Sequence, residues 1–356
     1  MRILAINPGS TSTKISVYDD LSEKYTTVIR HSTEELSEFP RIIDQYNFRK
    51  KIIIESITNA GYSINSLDAV VGRGGLLKPI PGGVYRVNDA LISDLKKEIL
   101  GEHASNIGGI LAKEIANETG KDIDAFIVDP VVVDELDDIA RISGHPMLPR
   151  ISIFHALNQK AVARRYAREI NKKYEELNLI VVHLGGGITV GVHKNGRVVD
   201  VNNGLDGEGP FSPERTGTLP AGALVKLCFS DKYQYHEIRK MITGRGGITA
   251  YFGTNNMKEI EEKANNGDGK AKLMIEAMAY QIAKEIGAST TVLRGQIDCI
   301  LITGGLAHSD YIVNLIKDRI SFLAPFRIFP GEDEMQALAE GTYYALKGEL
   351  PVHEYS

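Results

Sequence analysis

Two cysteines, Cys228 and Cys299, are the only thiols in 356 residues, and that count excludes a disulfide framework or a four-ligand zinc site. Each lies in an apolar stretch and is expected in the core. A surplus of basic charge is also missing. The 41 Lys and Arg against 46 Asp and Glu leave a net charge of −5, which argues against a nucleic-acid partner. No window approaches the roughly 18 uninterrupted apolar residues of a membrane span. The apolar start, residues 1–6, turns polar at Asn7 and is too short for a signal peptide. The chain is therefore expected to be soluble, reduced and cytoplasmic, with no membrane partner. What is present, 43% apolar and 24% charged residues, is ordinary for a globular protein. The length corresponds to about two domains.

The most informative pattern occurs twice. Residues 3–18 read ILAINPGSTSTKISVY and residues 179–194 read LIVVHLGGGITVGVHK. Each is an apolar strand, a polar residue, a Gly-containing corner and an alternating segment. Asn7 aligns with His183, an offset of 183 − 7 = 176, close to half of 356. Two pseudo-equivalent α/β domains, each opening with a hairpin that turns on a phosphate-sized loop, are the economical reading. Further strands are expected at residues 69–71, 125–128, 197–201 and 299–303. Helices are expected at 107–119, 156–178, 269–293, 311–320 and 333–347, the last stopped by Gly348. The boundary should fall between residues 150 and 160.

The first loop, NPGSTSTK at residues 7–14, gathers Gly9, four hydroxyl residues and Lys14, groups that suit a polyphosphate. It is not a Walker A loop, because Thr13 and Ile15 flank Lys14 and a strand follows. The second, His183 through Gly185, Gly186 and Gly187, lets backbone approach a ligand closely. Thr303, Gly304 and Gly305 repeat this after a third strand, at a nucleotide-sized gap. Arg73 and Arg215 stand in Gly-rich contexts near strand ends, where a guanidinium can grip carboxylate or phosphate. Asp129 and His155 end apolar runs in the same manner.

These residues together carry a resemblance to the acetate and butyrate kinases of the sugar kinase–Hsp70–actin superfamily, over nearly the whole length. It rests on residues 7–14, on Asp129 ending AFIVDP, on Phe154-His155, on VVHLGGGITV and on Arg215-Thr216-Gly217. Asn255-Asn256-Met257-Lys258 and Thr303-Gly304-Gly305-Leu306 extend it. The segment GRGGLLKPIPGGV around Arg73 resembles the butyrate kinase branch and lacks the acetate-type pocket valine, which implies room for a longer acyl chain.

The resemblance implies two duplicated actin-like (ribonuclease H-like) domains with an interdomain nucleotide cleft. The N-terminal lobe would be residues 1–155, with a C-terminal helix at 335–356 packing back on it, and the C-terminal lobe residues 156–334. It implies phosphoryl transfer between ATP/ADP and a short-chain carboxylic acid with Mg2+, in a homo-oligomer of at least two chains. Arg73 would hold the acid. Arg215 and His155 would stabilise the phosphoryl group, with Asp129 orienting a metal water or an arginine. Ser10, Ser12, Lys14, His183, Gly185, Gly186, Gly187, Asn256, Gly304, Gly305 and Leu306 would contact the nucleotide or its phosphates. Asn7 and one of Glu332, Asp333 or Glu334, with Glu334 preferred, would hold the metal. A regulatory ATPase of the actin or Hsp70 type shares the architecture but lacks an acid substrate. A sugar kinase would need a carboxylate base and would leave Arg73 without a purpose.

Overall fold

Residues 2–30 form three successive antiparallel strands, Arg2–Pro8 (β1), Ser12–Asp19 (β2) and Ser22–Arg30 (β3). Ala69–Arg73 (β4) then pairs parallel to β1. Val84–Arg86 (β5) runs antiparallel to Asp124–Val128 (β6), which is parallel to β4. The computed structural model describes residues 1–356 and divides into two units, Met1–Val133 with Asp333–Ser356, and Asp134–Glu332.

In the second unit, Asn178–Leu184 (β7), Ile188–Lys194 (β8) and Arg197–Val201 (β9) repeat the antiparallel run. Cys299–Gly304 (β10) and Phe326–Pro330 (β11) add parallel strands. The order β3-β2-β1-β4-β6 of the first sheet thus recurs as β9-β8-β7-β10-β11 in the second. The bounds of β1 and β7 differ by 176 at both ends, 178 − 2 and 184 − 8. The β2–β3 and β8–β9 pairings also each shift register close to their connecting turn, at Val17/Tyr18 and Val192/His193.

Both sheets are buried on two faces, so the central strands read as continuous apolar runs. In the first unit Leu4, Ile6, Ile15, Val70 and Ile127 cluster with Ile107, Leu111 and Ile115 of the Asn106–Glu118 helix. The alternate residues Ile3, Ala5, Val71 and Val128 are also buried, and Gly341 of the Glu334–Leu346 helix lies against Val128. In the second unit Ile180, Val182, Ile300 and Ile302 pack on Ile275, Ile282 and Ile286 of the Gly269–Val292 helix. Leu179, Val181 and Leu301 meet Val162 and Ala163 of the Ala156–Glu169 helix on the other face. Each such fully buried Ile or Leu contributes about 1.5–3 kcal/mol.

One contact sets the height of β4. A Cβ on Gly72 would overlap the Gly108 carbonyl, and one on Gly108 would overlap the Arg73 carbonyl. Strand and helix therefore meet backbone to backbone directly beside Arg73.

Several expectations need correction. The helix from Ala156 stops at Glu169, because Asn171 takes φ +54 and a short 3-10 turn, Tyr174–Glu176, follows. Residues 335–356 are not one helix: Glu334–Leu346 ends before Gly348, at φ +73, and Val352–Glu354 (β12) pairs parallel to β5. Cys299 is buried, but Cys228 is exposed, on a helix Ala221–Cys228 with no buried residue. Residues 134–155 join the second unit rather than the first, while Asp333 and Glu334 join the first. Glu135 explains the former. It accepts from the Val198 amide at 2.8 Å and from Lys160 Nζ at 2.7 Å, with both side chains nearly inaccessible. No helix is long and apolar enough to cross a membrane.

Candidate functional site

In the first unit the C-terminal tips of β1 and β4 and the start of the Glu334–Leu346 helix bring three predicted residues together. Arg73 Nη1 lies 2.6 Å from Glu334 Oε1, and Asn7 Nδ2 donates to Glu334 Oε2 at 2.6 Å. Arg73 Nη1 also approaches Asn7 Oδ1 at 3.5 Å. The predicted substrate arginine and the predicted metal carboxylate are thus partners here. Lys14 pairs with Asn7 across β1 and β2, so the two side chains share a sheet face. Ser10 is exposed, Ser12 is half-buried, and the turn between them closes through Gly9 N–H donating to Ser12 O at 2.7 Å.

Asp129 ends β6 in a left-handed conformation, φ +37, and is buried. Its Oδ1 accepts the Gly83 amide at 2.7 Å, and its own amide donates to Gly83 O at 2.9 Å. A non-glycine residue held there costs about 1–3 kcal/mol, which this double bond offsets.

In the second unit His155, at the mouth of the Ala156–Glu169 helix, stacks on His183 at the end of β7 with ring centres 3.7 Å apart and planes 10° from parallel. A chain of hydrogen bonds runs behind the pair. His193 Nε2 donates to Gln159 Oε1 at 3.0 Å, and Gln159 Nε2 donates to Thr189 O and Oγ1. Thr189 Oγ1 lies 2.9 Å from His155 Nδ1. Thr189 Oγ1, which accepts from Gln159, thus ties the His155 ring to the same chain. Burial holds His193 well below the usual histidine range, so it is neutral, with Nδ1 accepting from the Tyr174 hydroxyl at 2.7 Å. His183 Nδ1 meets Asn158 Oδ1 at 2.8 Å, while its Nε2 lies 3.4 Å from Glu332 Oε1.

Arg215 donates to Gly204 O at 2.7 Å, and its guanidinium occupies the space a Cβ on Gly187 would need. The third glycine of the loop is therefore required by the arginine. Burial lowers the Arg215 pKa. Gly185 and Gly186 instead line a cavity of about 640 Å³ with Asn256, Gly305, Leu306 and Glu332. That volume suits a nucleotide-sized ligand. Asn255, Met257 and Lys258 line it too, so the whole Asn255–Lys258 segment faces one space. Asn256 also caps the Met257–Asn265 helix. Gly187, Gly304, His155, His183 and Arg215 lie outside that lining.

The three acidic candidates separate. Glu334 meets Asn7 and Arg73, Glu332 borders the cavity, and Asp333 sits at φ +33 before the helix. Asn7 Oδ1 and the Glu334 carboxylate are hard oxygen donors of the kind Mg2+ takes alongside phosphate oxygens and water. No group of three His, Cys, Asp or Glu forms a cage, so this pair would hold the ion only together with phosphate and water. The residues fit on those terms.

Asn158 and Gln159 were not singled out in the sequence. With His155 they fall at i, i+3 and i+4, one face of a helix start, and that spacing was the available signal.

The acetokinase family model matches residues 148–325. The chain is 56% identical to butyrate kinase 1 of Clostridium acetobutylicum over 354 residues, covering 99% of each chain. It is 55% identical to butyrate kinase 2 of the same organism, again over 99% of each. Among solved structures, the acetate kinase of Porphyromonas gingivalis superposes with a TM-score of 0.79 at 18% identity, covering 97% of this chain and 99% of that one.

Proposed function

The chain belongs to the acetokinase family, and from that premise we propose that it transfers the γ-phosphoryl group of ATP reversibly to butyrate or a branched short-chain fatty acid, giving the acyl phosphate and ADP. The observation that carries the reading is the 56% identity to butyrate kinase 1 over 99% of the chain. The repeated strand order of the two sheets supports a pair of duplicated actin-like domains. The first unit would present the acid and the phosphate turn, and the second would hold the nucleotide in the cavity beside Gly185 and Gly305. A homo-oligomer of at least two chains goes with the reading.

A fatty acid has a carboxyl pKa near that of Glu, about 4.3, so the nucleophile is ionised at neutral pH and needs no base. The obstacle is charge. Two unit charges about 4 Å apart repel by about 4 kcal/mol at an effective dielectric near 20. The chain's cations answer it by position. Arg73 holds the substrate carboxylate, a role supported by its present grip on Glu334. Arg215 and His155 stabilise the phosphoryl group in flight. Ser10, Ser12 and Lys14 donate to its oxygens. Asp129, fastened to the Gly83 amide, fixes the segment beside β5 rather than accepting a proton. Asn7 and Glu334 would hold Mg2+, which neutralises charge on the nucleotide's phosphates when bound.

A hydroxamate assay over acids of two to five carbons tests the reading. Butyrate or isobutyrate should give the highest kcat/KM. ATP hydrolysis indifferent to every acid would overturn it in favour of a regulatory ATPase.

A further inference from the structure

Arg49 lies in the Tyr46–Asn59 helix, in phase with the buried Ile53 and Ile57, and its side chain is wholly inaccessible. Its guanidinium meets no carboxylate. Nη1 donates to Gly9 O at 2.7 Å, Ser12 O at 3.1 Å and Thr13 Oγ1 at 3.1 Å. Nη2 donates to Ser10 O at 2.9 Å and Gln45 Oε1 at 2.7 Å, and Nε donates to the same Gln45 oxygen at 3.1 Å. Every acceptor is neutral, and three are main-chain carbonyls of the turn that joins β1 to β2. The remaining carbonyl of that turn, Thr11 O, accepts from the His31 amide at 2.9 Å. All four carbonyls of residues 9–12 are therefore engaged by donors from the body of the unit. Ser10 and Thr11 are exposed, and their amides donate to no other group of the protein.

The consequence is chemical. A turn whose carbonyl oxygens are occupied presents its N–H and hydroxyl groups outward, the arrangement of an anion-binding nest. A buried positive charge without a counter-ion beneath that nest adds a field of the same sense. Burial alone pushes the Arg49 pKa down, to about 10, which still leaves it charged at neutral pH. His31, whose Nε2 lies 2.9 Å from Thr13 Oγ1, is kept neutral by its burial and by this guanidinium.

We propose that Arg49 is a positioning residue for the phosphoryl group that ATP carries and ADP lacks: it fastens the Gly9–Ser12 carbonyls inward and charges the floor of the turn that receives that group. The proposal deepens the assigned reaction and rests on it for the identity of the anion.

The test is calorimetric binding of Mg-ATP and Mg-ADP, without any acid, to the full chain and to Arg49→Met and Arg49→Lys. Arg49→Met should raise the ATP Kd at least tenfold while moving the ADP Kd less than twofold. Arg49→Lys keeps the charge but cannot span the five acceptors, so it should raise the ATP Kd about threefold. A merely structural arginine would lower thermal stability and leave the ATP-to-ADP ratio of Kd values unchanged, and that result, or equal weakening of both nucleotides, overturns the proposal. If Arg49→Met does not fold, Arg49→Lys decides by the same ratio, with Gln45→Leu expected to shift it in the same direction. A wild-type chain that binds ATP but phosphorylates no acid would sink the kinase reading and leave Arg49's role standing. Failure to bind either nucleotide would overturn both.

Discussion

Glu334→Gln probes the coupling between the residues proposed for the acid and for the metal. In the structure Glu334 grips Arg73 through Oε1 at 2.6 Å and Asn7 through Oε2 at 2.6 Å, with the Arg73 and Glu334 side chains 35% and 22% exposed. A fatty acid that is to be held by Arg73 must first displace that carboxylate. Glutamine keeps the volume and one acceptor oxygen but removes the charge. The amide still accepts from the charged guanidinium, so what is lost is the attraction between unit charges, about 1 kcal/mol at about 4 Å in water and about 4 kcal/mol at an effective dielectric near 20. Partial exposure reduces the loss to about 1 kcal/mol. In the absence of nucleotide and divalent ion, Glu334→Gln should therefore bind butyrate about fivefold more tightly than wild type. Titration calorimetry at neutral pH reads this directly. Adding Mg2+ together with ADP should tighten butyrate binding to the wild type and leave the variant unchanged. The same variant should form acyl phosphate more slowly, because a metal oxygen is lost. Equal or weaker butyrate binding by Glu334→Gln would refute the competition.

Lys160→Met strips the ammonium from buried Glu135 and should cost about 3–5 kcal/mol in urea unfolding, while Lys160→Met with Glu135→Gln should recover most of it. Thr189→Val removes the hydroxyl that fixes the His155 ring and should lower kcat about tenfold with the ATP Kd within twofold; a change in Kd alone would argue against that chain. His193 has a folded pKa well below its unfolded value, so below about pH 6.5 the unfolded chain binds the extra proton. Stability from this group is full above that pH and falls by up to about 1.4 kcal/mol per unit as pH drops. Urea midpoints from pH 7 to 5 should fall less steeply in His193→Gln than in wild type.

The hairpins were legible because they are local: each strand, corner and returning strand sits within about twenty residues, and alternation reports faces directly. The 176-residue offset between β1 and β7 was visible for the same reason. Asn7 and Glu334 were paired only through the family resemblance, since they are 327 positions apart and no periodicity links them, and nothing in the sequence placed Arg73 against that pair. Residues 134–155 were misplaced because their membership depends on a side-chain pair, Glu135 with Lys160, rather than on any linker composition. Cys228 was misread because a mainly apolar octamer, Ala221–Cys228 with one lysine, says nothing of whether a partner covers it. Arg49 left a trace that could have been read, a charged residue in step with the apolar stripe of Ile53 and Ile57.

The first unit is closed by a helix and an edge strand from residues 333–356. On the ribosome, β1, β4 and β6 emerge early, yet the helix that covers one face of them follows about 200 residues later. At about 5–20 residues per second that is an interval of roughly 10–40 s. The second unit, wholly contained between, can finish first. The half of the protein that is made earliest is thus the half that matures last, with an apolar sheet face awaiting its cover throughout.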